Sequence, residues 1–115
     1  MKKENIILDK SFDFAILIIA LYNEMVEQKE FVLSKQILRS GTSIGANVEE
    51  ASAAYSKKDF AAKMSIASKE ARETRYWLRL IQKSKIVTIS VDEHLKEIED
   101  IVNILTAIIK TSQSN

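Results

Sequence analysis

Three sets of residues in this chain have the types and spacing to do chemistry. The first is the single histidine, His94, which stands beside Asp92 and Glu93. A histidine can move a proton or bind a metal. A di-iron bundle, however, needs a Glu-x-x-His pair on each of two helices, and residue 91 is valine. Zinc spacing is absent as well, and with no cysteine and one histidine the nucleophile-base arrangements have little material. No glycine-rich phosphate loop is present. His94 therefore reads as a solvated surface residue. The chain is expected to carry no catalytic residue, metal or cofactor, and not to be an enzyme.

The second set is polar. On helical spacing, Glu70 and Thr74 project toward an apolar side, and Ser40 and Asn47 flank another apolar stripe. A carboxylate on a partly buried face needs a partner, which Arg39 or an asparagine amide could supply. Arg39, Asn47, Glu70 and Thr74 are thus candidates for a buried polar network that fixes helix register, with a binding pocket as the sharper alternative.

The third set is a charge stripe. At about 100° per residue, Lys58, Lys69, Arg72, Arg79 and Lys83 fall within roughly an 80° arc, together with Ser65 and Tyr76 and with no acid. Cations interleaved with an aromatic can track a phosphate backbone. These residues with Tyr76 form the candidate nucleic-acid-binding surface. The plainer alternative is a solvated helix face, with Glu73 close beside it.

All three sets must be positioned by helices. The 115 residues include no proline and only two glycines, whereas sandwiches and barrels lean on both residue types for their turns. Apolar spacing predicts helices over about 10–28, 32–54, 57–83 and 91–112. Leu33, Ile37, Ile44, Val48 and Ala51 make the stripe of the second, beside Gly41 and Gly45. Two glycines inside a helix cost roughly 1 kcal/mol each against alanine, so a close approach by a neighbouring helix is expected there. Phe60, Ala67, Ala71, Leu78 and Ile81 make the third stripe, bordered by Trp77, with Ser56 as its N-cap. Leu95, Ile98, Val102, Leu105 and Ile109 make the fourth, behind a Ser90–Glu93 capping box. Short links make sequential helices antiparallel neighbours, and Ile86, Val87 and Ile89 in the last link could pack over the bundle end. The expected fold is an all-α, antiparallel up-down four-helix bundle occupying 1–115 as a single domain, with 111–115 frayed.

The first segment is apolar nearly all round. Phe12, Ala15, Ile16, Ile19 and Val26 share one side, and Phe14, Leu17, Ile18, Leu21 and Met25 spread over the rest. Ile101, Ile104 and Ile108 widen the fourth helix beyond its heptad seam. Spare apolar surface of this kind marks an interaction site, which predicts a homo-oligomer with the first and fourth helices in its interface. No segment reads as a signal peptide, and the longest apolar run, 14–22, is far short of the ~20 residues of a membrane span. A cytoplasmic protein without a membrane partner is expected. The net charge of +1 gives no general attraction to nucleic acid, so any electrostatic function must come from local placement.

The stretches FVLSKQILRSGTSIGANVEEASAA and DFAAKMSIASKEARETRYWLRLI resemble the bacterial four-helix bundle proteins encoded in intervening sequences of large-subunit ribosomal RNA genes. The resemblance covers nearly the whole chain. Arg39, Ser43, Ile44, Asn47, Glu50, Glu70, Glu73, Tyr76, Trp77 and Leu78 carry it. It implies a four-helix bundle and a ring-shaped homopentamer, and it assigns no catalytic residue. The related accessory proteins of diversity-generating retroelements form such barrels, bind nucleic acid and partner a reverse transcriptase. These readings together predict a non-enzymatic homo-oligomeric module that binds RNA, DNA or a nucleoprotein. The alternative is a protein–protein scaffold with no nucleic-acid binding.

Overall fold

The computed structural model describes residues 3–113. It contains four helices, α1 (Lys3–Glu27), α2 (Leu33–Ser52), α3 (Lys57–Ser84) and α4 (Asp92–Gln113), with no strand among the described residues. The links are too short for anything but reversal, so successive helices run antiparallel. α1 and α3 each pack on α2 and α4, and each pair lies across a diagonal of the bundle. The result is an up-down rod of 47 × 22 × 20 Å.

Local chemistry explains the helix ends. Ser56 caps α3, its Oγ accepting from the Asp59 N–H at 3.0 Å. α2 has no capping side chain at its own N-cap, Val32; Glu30 supplies one instead. Its carboxylate accepts from the N–H groups of Val32, Leu33 and Ser34 at 3.1, 3.1 and 2.7 Å, which places a negative charge on the positive end of the helix. The chain leaves α1 and α3 through left-handed lysines, Lys29 at φ 64° and Lys85 at φ 54°, where glycine is the usual residue. The two links at this end are tied together. The Gln28 amide donates to the Thr88 carbonyl at 3.2 Å and accepts from the Thr88 N–H at 2.7 Å.

The core stripes of α2 and α3 lie inward as their spacing predicts, and Ile98, Val102 and Leu105 do so on α4. Val87 is buried in the last link and Ile89 packs against the core, while Ile86 stays exposed. Gly41 and Gly45 face α1. A Cβ on Gly41 would stand 2.8 Å from both Cγ atoms of Ile18, and one on Gly45 would stand 3.3 Å from the Ser11 carbonyl oxygen. The glycines thus let α1 and α2 approach almost backbone to backbone.

Several expectations are corrected. α1 begins at Lys3 rather than near residue 10, because Ile7 is fully buried and extends the core by two turns. The capping box at α4 does not form. Val91 accepts the first helical bond, from the Leu95 N–H, and Ser90 stands one residue outside, its Oγ meeting the Asp92 N–H at 3.5 Å. Residues 111–113 continue α4, and 114–115 lie outside the described residues. The surplus on α4 disappears into the bundle, since Ile101 and Ile108 are buried and Ile104 packs against the core. His94 is buried rather than solvated. It sits under the end of α1 in an open cleft of about 630 Å³ lined by Leu17, Leu21 and Glu24 of α1 and Ile89 of the link, among others. Among the described residues its Nδ1 has no hydrogen-bond partner. Burial holds its pKa below the usual 6.5, against the opposing pull of Glu93, Glu24 and the Leu17 backbone.

Candidate nucleic-acid interface on α3

α3 presents a core side, two flanks and an outer face, and the helical repeat decides which residue joins which. The edge toward the core carries Met64, Ala67, Ala71, Leu78 and Ile81. Its flanks bind the neighbouring helices through polar groups. Toward α4, Arg75 Nη1 pairs with the Glu99 carboxylate at 3.2 Å and Gln82 Nε2 donates to Asp92 at 3.4 Å.

Toward α2, the partnered network is realised around Arg39. Its guanidinium donates from Nη1 to Glu70 Oε2 at 3.1 Å and from Nη2 to Glu73 Oε2. The same Glu73 oxygen accepts the Trp77 indole N–H at 3.0 Å. One layer deeper, the buried Thr74 hydroxyl donates to Ser40 Oγ at 2.9 Å and lies 2.8 Å from the Glu70 carbonyl. Further down the seam, Lys63 pairs with Glu50 at 2.9 Å, and that hydrogen bond and charge raise the lysine's pKa. Arg39, Glu70 and Thr74 are therefore brought together. Asn47 is not, because its amide donates to the Ser43 carbonyl of its own helix at 2.8 Å. The spacing of polar residues singles out Ser40 beside the α2 stripe but does not reveal Glu73 and Trp77 as members. Glu73 at i and Trp77 at i+4 on one helix are neighbours, and that was the available signal. The network is also less buried than its spacing suggests, since the Arg39 side chain is half exposed.

The outer face of α3 carries the charge stripe. Lys58, Lys69, Arg72, Arg79 and Lys83 are all exposed, as is Tyr76. Among the described residues none of the five cations lies in a salt bridge, in contrast to Arg39, Lys63 and Arg75 on the flanks. Arg72 leans on α4, donating to Thr106 Oγ1 at 3.3 Å. Glu73 does not neutralise the stripe, because Arg39 and Trp77 hold it on the α2 side.

A second surface lies on α1. Phe12, Ile16 and Ile19 are 62%, 55% and 42% exposed, so the side on which the apolar residues gather is largely the outer one. The core side is Ile7, Phe14, Ile18, Leu21 and Met25. α1 and α3 lie on a diagonal, which puts this apolar face and the basic stripe on opposite sides of the bundle. Among the described residues no helix is long and apolar enough to cross a membrane.

Residues 3–107 match the family described as 23S rRNA-intervening sequence protein. The crystal structure of a protein with unknown function from the S23 ribosomal protein family of Bacteroides thetaiotaomicron is similar at 50% identity and TM-score 0.89, over 95% of this chain and 99% of that one. No curated protein matches the chain.

Proposed function

The chain belongs to the family of 23S rRNA-intervening sequence proteins, and from that premise we propose that it is a non-enzymatic, self-associating bundle that binds nucleic acid along the outer face of α3. The observation that carries this reading is the row of five cations without carboxylate partners around an exposed tyrosine. Charges left unpaired on one face attract a polyanion even when the whole chain is nearly neutral. The accessory proteins of diversity-generating retroelements, related to the family that the sequence resembles, bind nucleic acid and supply the analogy. Self-association rests on Phe12, Ile16 and Ile19 of α1, since an apolar face of this kind is costly in water. An association confined to that face leaves the diagonal stripe open to solvent, whereas a ring uses a second patch on each subunit as well. The family resemblance makes a ring of five the expected assembly, and the cytoplasm the expected place of action.

Binding of labelled RNA and DNA across a salt series tests the reading. Affinity is expected to fall linearly on a log–log plot, losing slope by about 0.7–0.9 for each phosphate contact removed. Replacing both Arg72 and Arg79 by glutamate should abolish binding. Binding that is absent, or indifferent to salt and to these replacements, removes it. The apolar α1 face would then favour the scaffold reading. Light scattering tests the assembly, and a monodisperse 13.1 kDa species would rule out self-association.

A further inference from the structure

The stripe contains one residue whose chemistry is not electrostatic. Tyr76 is 54% exposed, and among the described residues its hydroxyl has no protein partner. The fold thus leaves a large flat ring in water without using its polar tip. The ring is nevertheless held. It meets Trp77 edge-on, with centroids 5.2 Å apart and planes at 68°. Trp77 is itself pinned through its indole N–H to Glu73, which Arg39 grips from α2. This chain of contacts from α2 to the outer face braces the ring before any ligand arrives, so little side-chain freedom remains to be lost on binding. Arg72 and Arg79 stand on either side, about 6 and 4.5 Å along the helix axis, and Arg72 is further steadied by Thr106.

We propose that Tyr76 is a stacking platform for an unpaired nucleobase, with Arg72 and Arg79 taking the phosphates on its two sides, so that the α3 surface selects single-stranded over duplex nucleic acid. This rests on the nucleic-acid reading above and names its substrate class. The physical reason is access. A base inside a duplex has both faces covered by its neighbours, and the deep groove of duplex RNA does not admit side chains. A duplex can therefore engage the cations and leave the ring unused. A single strand can splay a base onto it, and such stacking tolerates any base because every base has a flat face. RNA and DNA share this chemistry.

The test uses the full-length chain and three probes of equal length: a single-stranded RNA, the corresponding DNA, and the RNA annealed to its complement. Tyr76→Ala is expected to weaken both single strands by about ten-fold or more, the loss usual for one stacked base, and to leave the duplex unchanged. Tyr76→Leu, which keeps apolar cover over Trp77 without a flat ring, should behave like Tyr76→Ala. Tyr76→Phe, which keeps the flat ring, should bind like the parent. Equal losses on single strand and duplex, no loss on either, or full binding by Tyr76→Leu would overturn the inference. If Arg72→Glu/Arg79→Glu abolishes binding to all probes in those same cases, the wider α3 reading stands while the stacking platform falls.

Discussion

α2 meets α1 and α3 along its two edges, and the two seams are built on opposite principles. The α1 seam works by removing side chains. Gly41 and Gly45 clear a path, and Ile18 and the Ser11 backbone fill it. The α3 seam works by extending side chains, with Arg39 reaching across to Glu70 and Glu73 while Ser40 meets Thr74 underneath. A close apolar seam gains from dispersion and tolerates no added atom. A long polar seam yields more readily at its wet rim and resists only where it is dry. Its rim also holds Trp77 against the ring of Tyr76, so a structural seam feeds directly into the candidate binding surface.

The largest expected effect comes from filling the close seam. Gly41→Ala puts a methyl 2.8 Å from both Cγ atoms of Ile18, and rotating a branched side chain only exchanges one for the other. Destabilisation of about 1–3 kcal/mol is expected from overpacking, less the helix propensity gained. Gly45→Ala should be far milder, because its 3.3 Å contact needs only a small shift and alanine returns about 1 kcal/mol of helix propensity. Denaturant melts of both variants check this, and equal losses would mean that the seam gives as a whole.

The next effect lies in the dry layer of the polar seam. Thr74→Val removes the donor to Ser40 without changing shape much, and should cost about 1–2 kcal/mol. Arg39→Ala acts at the half-exposed rim and should cost under about 1 kcal/mol, with a dependence on salt that Thr74→Val lacks. If Arg39→Ala proves the more damaging, the rim rather than the dry layer holds α2 to α3.

The smallest effect depends on pH and belongs to a third seam, between α1 and α4. Burial keeps His94 neutral in the fold, whereas the unfolded chain takes up a proton near the ordinary value of about 6.5. The unfolded state therefore binds more protons as pH falls below that value, and stability drops until the lower folded pKa is passed. Above about pH 7 the group contributes no slope. His94→Leu should flatten the stability profile between pH 7 and the acid limb, as thermal melts across pH would show. An unchanged profile would mean that Glu24 and Glu93 compensate the buried charge.

How much of this was legible varies by helix. The stripes Ile37–Ile44–Val48 of α2 and Ala67–Ala71–Leu78 of α3 alternate with strongly polar residues, so period alone points them inward, and the same contrast points Lys69, Arg72 and Arg79 outward. His94 could not be placed this way. It stands among acids in a first turn, where local composition says solvent, and only the overhang of α1 covers it. The Glu30 cap was equally hidden, because a side chain three residues ahead of a helix reaches its N–H groups only if the link turns tightly.

The sequence by itself determined four helices, their antiparallel order, the inward faces of α2 and α3 and the outward row of cations, since each follows from local period and short links. Tertiary structure alone decided which side of α1 is core, because a helix apolar nearly all round offers no contrast for period to detect. It also decided that α4 has no surplus and that Asn47 stays within its own helix while Glu73 and Trp77 join Arg39. Those outcomes depend on which side chain a neighbouring helix brings within about 3 Å, the reach of a hydrogen bond, and a single helix does not contain that distance.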